Sequence, residues 1–339
     1  MPSTIQIIVK ARPQGAINAS ETFAPRSVPS PSPADLVDGQ ILVETLYLSL
    51  DPIMRDWLNA DNGILETTLG NPMPGPTLAR VLASRSSQAS EGDLVTSFAG
   101  WVGSTILDEG AFEKVTYRHE ELPLTDVLGV LGFTGLTAYG AMLRVGKPQK
   151  GETVLVSSAA GATGSVAAQL AKMRGARVVG IAGGAGKCEW VKSLGVDEVL
   201  DYKSAEYEAE FARVLQGGID LYFDNVGGRT LELAINNINE FGRILLVGQT
   251  SSYNTETPYG IKSLLPIAPK SATITGFNIF PFLEHAAEAR ADLAQWLKDG
   301  TLKRTTTVVK GGLEAAPQGL VDLLAGKNMG KMLVEVKAE

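Results

Sequence analysis

Residues 152–164, ETVLVSSAAGATG, run a β-branched apolar stretch straight into a turn of small residues, the order that a phosphate-binding corner requires. Residues 153–156 read as a buried strand, Ala159, Gly161 and Gly164 let a backbone approach a pyrophosphate, and 165–173 continue with helix-forming residues. Backbone N–H groups at such a helix start face an anion, so the chemistry on offer is the cradling of dinucleotide phosphates. The pattern is A-x-G-x-x-G, with Ala159 where the first glycine is usual. Turns of this composition also occur where nothing binds. The strand before, the helix after and a second strand at 177–181 favour the binding reading, and make Gly161, Ala162, Thr163 and Gly164 the first cofactor-binding candidates.

A second cluster decides which dinucleotide is expected. NAD sites place Asp or Glu about 20 residues beyond the glycine turn, on the ribose hydroxyls. Here that place reads Ile181-Ala182-Gly183-Gly184-Ala185-Gly186-Lys187. It has no carboxylate to repel a 2′-phosphate, glycines that give it room, and in Lys187 a partner for it, so NADPH is the expected cofactor. The alternative for Lys187 is a solvated surface lysine. Tyr202 and Lys203 follow the third strand and could flank the same phosphate.

The missing residue types narrow the chemistry further. Zinc-dependent dehydrogenases need Cys and His ligands, four cysteines for many structural sites, and this chain has one cysteine, Cys188, and two histidines, His119 and His285, in no ligand-like spacing. No metal site is expected, and both histidines read as surface or structural residues. There is no G-x-S-x-G elbow and no Walker lysine after the glycine turn. Any reaction must rest on the cofactor, on hydrogen-bond donors and on positioning.

These residues need a scaffold, and the chain changes character near residue 125. Before it, strands are expected at 5–10, 40–50, 77–84, 93–98 and 111–117, in a small barrel or sandwich. The segment holding Pro25, Pro29, Pro31 and Pro33 is expected to be an irregular loop, and 51–58 a helical turn capped by Asp51 with Pro52 in its first position. Beyond 125, LGVLGFTGLTAYGAML suggests one closely packed helix. Strands at 152–157, 177–182, 198–201, 219–224, 243–247 and 273–277 then alternate with helices, which argues an α/β doubly wound parallel sheet. A long helix at 282–298 is expected to stop at Gly300, and strands at 305–309 and 332–336 to rejoin the first domain.

Composition sets outer bounds. The 339 residues are enough for about two domains, and 44% hydrophobic with 20% charged residues is ordinary for a soluble globular protein. A net charge of −7 without a basic cluster argues against nucleic acid as partner. No apolar run approaches the ~20 residues of a membrane span, and the N-terminus lacks a signal-peptide pattern. One cysteine fits a reducing compartment, so a cytoplasmic location is expected.

An ordered series of segments carries a resemblance. It comprises Tyr47-Leu48-Ser49-Leu50-Asp51-Pro52-Ile53-Met54-Arg55, Gly135-Leu136-Thr137-Ala138-Tyr139, the turn at 159–164 and Val179-Gly180-Ile181-Ala182-Gly183-Gly184 with Lys187-Cys188. It continues with Asp201-Tyr202-Lys203, Tyr222-Phe223-Asp224-Asn225-Val226-Gly227-Gly228, Ser251-Ser252-Tyr253-Asn254 and Gly326-Lys327-Asn328-Met329-Gly330-Lys331. Over nearly its whole length the chain resembles the zinc-free medium-chain dehydrogenase/reductases, in the group of prostaglandin reductases, alkenal double-bond reductases and curcumin reductase.

The resemblance implies a Rossmann domain at 126–299, a GroES-like β-rich catalytic domain built from 1–125 and 300–339, an active site in the cleft between them, and a homodimer. It assigns pyrophosphate to 161–164, the 2′-phosphate to Lys187 and Tyr202, and the nicotinamide half to Asn225, Gly248 and Asn328. It makes Tyr253 the catalytic residue, a hydrogen-bond donor to the substrate carbonyl as charge develops; the alternative is a tyrosine packed beside a loop. Tyr47, Ile53 and Met54 would border the substrate, and Ile53 replaces the tyrosine of the family's D-P-Y-M-R, which implies a more apolar pocket of different shape. The implied activity is NADPH-dependent hydride transfer to the β-carbon of an α,β-unsaturated ketone or aldehyde. The alternatives are a zinc-independent quinone reductase and a cofactor-binding protein with little turnover.

Overall fold

A computed structural model describes residues 2–59, 65 and 67–338. The chain forms two compact units, Met1–Leu128 with Thr306–Glu339, and Gly129–Thr305.

The first unit opens with β1 (Ser3–Val9), α1 (Ala19–Thr22), β2 (Phe23–Pro29) and the long β3 (Gln40–Leu50). There follow α2 (Met54–Trp57), β4 (Thr77–Ser84), β5 (Leu94–Ser97), β6 (Ser104–Asp108), β7 (Phe112–Lys114) and α3 (Thr125–Leu128). β2 corrects the expectation of an irregular loop: it pairs antiparallel with β1, Pro25 opposite Ile7. In a two-stranded sheet β2 is an edge, where a proline without an N–H breaks no ladder. Asp51 does not cap α2 either. Ile53 holds the N-cap position, and the Asp51 carboxylate instead accepts from Ser49 Oγ (2.5 Å) and from the buried Lys331 ammonium. A full charge in a buried setting is a stronger partner for a carboxylate than a helix-end amide.

The second unit contains α4 (Phe133–Tyr139), β8 (Thr153–Val156), α5 (Ala162–Met173), β9 (Arg177–Ala182), α6 (Ala185–Ser193), β10 (Glu198–Asp201) and α7 (Tyr207–Val214). It continues with β11 (Ile219–Asp224), α8 (Gly228–Asn236), β12 (Ile238–Leu246), β13 (Thr273–Gly276) and α9 (Ala286–Lys298). The six strands pair in parallel in the order β10-β9-β8-β11-β12-β13. This is the doubly wound arrangement of a dinucleotide-binding sheet, in which the strand order reverses between β8 and β11. Val154, Leu155 and Val156, then Leu221, Tyr222 and Phe223, are buried, as a sheet covered on both faces requires. The chain then returns to the first unit as β14 (Thr306–Val309), α10 (Ala316–Leu324) and β15 (Lys331–Glu335), completing a sheet of order β14-β15-β3-β4-β5-β7 with β6 on β3. Among the described residues no helix is long and apolar enough to cross a membrane.

The single helix expected around residue 135 is broken. α3 ends at Leu128, α4 begins at Phe133, and Gly140–Gly146 winds on as a π-helical turn. His285 lies in a short 3₁₀ stretch, Phe280–His285, ahead of α9 rather than on it. Gly135 explains why the α4 start can fold back: a Cβ there would lie 1.8 Å from the Val130 carbonyl oxygen. Gly135→Ala is therefore predicted to cost about 2–4 kcal/mol of stability. Gly186→Ala, which meets nothing within 4 Å, should be tolerated. Thermal unfolding of the two variants checks the contrast, and a Gly135→Ala protein as stable as the parent contradicts it.

Candidate functional site

The candidate residues of the second unit gather at the carboxyl ends of β8, β9 and β11, where ligands of open parallel sheets bind. β8 delivers the chain into a turn whose Ser158 has φ +51°. Gly161 caps α5, and a Cβ on Gly164 would lie 2.2 Å from the Ser158 carbonyl oxygen, so this glycine is required for the helix to pack on its own turn. The alanine in the first glycine position also has a structural cause. Ala159 is fully buried, donates its N–H to the Ile181 carbonyl (2.9 Å), and faces Gly180 of β9, where a Cβ would come within 3.1 Å of its own. Gly180 thus provides the room that a glycine at 159 would otherwise give. The first amides of α5, those of Ala162, Thr163 and Gly164, have no intrahelical acceptors, and no acidic residue occupies that turn. The donor set suits an anion.

At the end of β9 the structure brings Lys187, Tyr202 and Lys203 together. The Tyr202 ring lies over Gly183, where a Cβ would sit 2.5 Å from it, and the Lys203 ammonium stands 6.0 Å from the ring centroid. Burial first, and the nearby Lys203 charge second, push the Lys187 ammonium below its ordinary proton affinity. Two cations so placed favour an anion between or beside them. The nearby Asp201 carboxylate is occupied by backbone, with Oδ1 accepting from the Gly184 and Lys203 N–H groups, both at 2.9 Å. The residues present therefore fit a 2′-phosphorylated adenosine ribose.

At the end of β11 lies a buried polar knot around Asn225, in which the sequence assigned Asp224, Tyr222 and Ser157 no role of their own. Asp224 Oδ1 accepts from Tyr222 Oη (2.6 Å), Ser157 Oγ (3.2 Å) and the Val226 and Gly227 N–H groups (2.9 Å each). Asn225 is held beside it, donating Nδ2–H to the Ser157 carbonyl (2.7 Å) and its backbone N–H to Ser157 Oγ (2.9 Å), an arrangement that leaves its own Oδ1 as an acceptor. Gly248 donates to the Asp224 carbonyl (3.1 Å), and a Cβ there would lie 3.1 Å from the Asn225 carbonyl oxygen. The following loop carries Tyr253, half-buried, whose hydroxyl oxygen accepts from the Gln249 N–H at 3.3 Å.

The first-unit candidates are more deeply placed. Tyr47 on β3 is buried among Leu46, Leu78, Leu124 and Leu333. Met54 is fully buried in the apolar cluster with Trp101 and Leu48, and Ile53 packs at that cluster's edge. Asn328 donates Nδ2–H to the Gly330 carbonyl (2.8 Å). Cys188 is partly buried, and burial raises its thiol above the ordinary value. His119 is partly buried, and the His285 ring packs tilted against Phe282, centroids 5.4 Å apart.

Comparison with known proteins follows the two units. Residues 5–115 match the family described as N-terminal domain of oxidoreductase, and 162–298 the one described as zinc-binding dehydrogenase. The second description names zinc, yet among the described residues no three His, Cys, Asp or Glu side chains are grouped to hold a metal ion. The chain is 38% identical to prostaglandin reductase 1 of Bos taurus over 306 residues, 88% of this chain and 90% of that protein. It is 36% identical to the NADP(+)-dependent 2-alkenal reductase of Nicotiana tabacum over 304 residues, 88% of each. The crystal structure of CurA from Vibrio vulnificus in complex with NADPH superposes with a TM-score of 0.91 at 36% identity, covering 99% of this chain and 100% of that one.

Burial is the largest influence on Asp224 and raises its carboxyl above the ordinary 3.8, against the pull of Tyr222 and the two amides. A raised folded pKa gives stability that is present below the unfolded value and lost as pH rises through the folded one. Asp224→Asn has no such titration. The melting temperature of the variant minus that of the parent is predicted to grow as pH rises from about 4 toward neutrality. A difference that stays flat over that window contradicts the assignment.

Proposed function

The chain belongs to the zinc-independent medium-chain dehydrogenase/reductase family, and from that premise we propose that it reduces the C=C bond of α,β-unsaturated ketones and aldehydes with NADPH as reductant. The observation that carries the cofactor choice is the Lys187, Tyr202 and Lys203 cluster at the end of β9, where 181–187 carry no carboxylate and the neighbouring Asp201 carboxylate is bonded to backbone. The reaction class is supported by the likeness to a 2-alkenal reductase and a prostaglandin reductase across nearly nine-tenths of the chain.

In this reading the first-turn amides of Ala162, Thr163 and Gly164 bind pyrophosphate, and Lys187 and Tyr202 bind the 2′-phosphate. Asn225 offers Oδ1 to the nicotinamide half, and Gly248 keeps the backbone beside it bare. NADPH supplies the hydride that the β-carbon receives. The substrate carbonyl oxygen then carries the electron pair as an enolate, and the Tyr253 hydroxyl donates a hydrogen bond to it while the Tyr253 oxygen stays held by the Gln249 N–H. A proton from solvent at the α-carbon completes the saturated carbonyl compound. Enone, NADPH and one proton thus give saturated ketone and NADP+. Asn328, and Tyr47, Ile53 and Met54 for the substrate, are assigned on the family pattern. Ile53 in place of the family tyrosine argues for apolar substrates.

A panel of simple enones and benzoquinone, read by NADPH oxidation and product identity, tests the proposal. It predicts saturated ketones as products and preference for enones. An allylic alcohol product, or turnover with benzoquinone alone, overturns it. Tyr253→Phe is predicted to lower kcat by up to about 10²-fold with little change in NADPH affinity. Lys187→Ala should weaken NADPH about tenfold to hundredfold, the effect of one charge-assisted hydrogen bond, and leave NADH binding unchanged. Equal losses for both cofactors would remove Lys187 from the 2′-phosphate.

A further inference from the structure

Glu232 is a carboxylate that this chemistry does not use and that the fold nevertheless buries. It lies on α8 and is 4% exposed. Burying a carboxylate is costly unless its oxygens are fully bonded. Three groups converge on it: Arg229 Nη1 from the same helix at 2.5 Å, the Tyr259 hydroxyl, and the backbone N–H of Lys262 at 3.2 Å. Arg229 is braced in turn by Glu208 on α7 at 2.7 Å.

A salt bridge within a helix needs neither burial nor partners from elsewhere in the chain. Tyr259 and Lys262 come from the segment between β12 and β13, which contains Tyr253 and has no regular structure from 247 to 264. The near end of that segment docks on the start of the same helix. Ser251 donates both Oγ–H (2.6 Å) and N–H (3.1 Å) to the Val226 carbonyl, and Thr250 donates N–H to the Asn225 carbonyl (3.1 Å). Gly228, the first residue of α8, must be bare to admit it, since a Cβ there would lie 2.8 Å from Ser251 Oγ. The loop is thus tied at one end by Ser251 and at the other by Glu232, with Tyr253 between.

We propose that Glu232 is a positioning residue for catalysis: through Tyr259 and the Lys262 N–H it closes the far end of the loop onto α8 and so fixes the Tyr253 hydroxyl. This assignment rests on the role given to Tyr253 above. The Tyr259 hydrogen bond, helped by the Arg229 hydrogen bond and opposed by burial, holds the Glu232 carboxyl down at about 2, so the tie is charged at neutral pH.

Hydrogen exchange and steady-state kinetics of the full chain test it together. Tyr259→Phe removes one hydroxyl, and is expected to speed amide exchange across 249–262 about five- to tenfold, the shift in local opening expected from one lost hydrogen bond. It should lower kcat for an enone by a similar factor and leave the KM for NADPH within about twofold, since the cofactor residues are untouched. Introduced into Tyr253→Phe, the same change should cost no further turnover, because its effect passes through Tyr253. Glu232→Gln, which keeps an acceptor oxygen, should retain more kcat than Glu232→Ala; should Glu232→Ala fail to fold, Tyr259→Phe carries the test. Unchanged exchange, faster exchange with parental kcat, or an equal further loss in the Tyr253→Phe background would each overturn the proposal. Parental activity of Tyr253→Phe itself would sink the functional reading, whereas the exchange rates decide the tie by themselves.

Discussion

The Asp224 carboxylate is the interaction on which the binding edge of the second unit depends. It stands at the end of β11, across the strand-order reversal from β8, and its Oδ1 joins the two strands through Ser157 while organising the turn that follows through the Val226 and Gly227 amides. Burial works against the charge, since it raises the carboxyl, and Oδ2 has no hydrogen-bond partner among the described residues. Four donors on one oxygen offset part of that cost. The return is geometric. Asn225 is pinned between Ser157 and the sheet with an acceptor to spare, and the backbone from Val247 to Ser251 is hung from the Asp224, Asn225 and Val226 carbonyls.

The glycine-rich end proposed to hold phosphate is built on the opposite logic, steric rather than polar. Its glycines are there chiefly to let chain meet chain: Gly164 lets α5 onto its turn, Gly180 accommodates Ala159, and Gly183 lies under the Tyr202 ring. The groups that would meet a ligand are a helix start and Lys187, whose ammonium is pushed below its ordinary proton affinity by burial first and by the nearby Lys203 charge second. An anion beside it would favour the charged form, which suits a phosphate rather than a free ribose hydroxyl pair.

Features that rest on local pattern were legible in the sequence. The strands of the parallel sheet, with ends at Arg177–Ala182, Glu198–Asp201 and Ile219–Asp224, follow from apolar runs punctuated by turns, and the doubly wound order follows from their alternation with helices. The cluster of Lys187, Tyr202 and Lys203, proposed above for the 2′-phosphate, was visible as a missing acid and a lysine at the offset such a site would take. What was not legible depends on partners distant in the chain. β2 forms because β1 pairs with it, in spite of its prolines. Asp51 looked like a helix cap because Lys331, which claims it, lies 280 residues away. The break between α3 and α4 follows from a glycine meeting a carbonyl, which no periodicity reports. Ser157, Asp224 and Glu232 had no role assigned because nothing in their spacing shows the bonds they make; Ser157, in the 152–164 stretch, and Asp224, inside the D-N-V-G-G run, had a motif beside them, and Glu232 had none.

The central claim concerns where the reducing equivalent goes, and the most direct measurement is the fate of deuterium from NADPH labelled at both C4 positions of the reduced nicotinamide. With a simple enone as acceptor, the account predicts a saturated ketone with one deuterium on the former β-carbon and none on the carbonyl carbon. Deuterium on the carbinol carbon of an allylic alcohol, with the C=C bond intact, would contradict it.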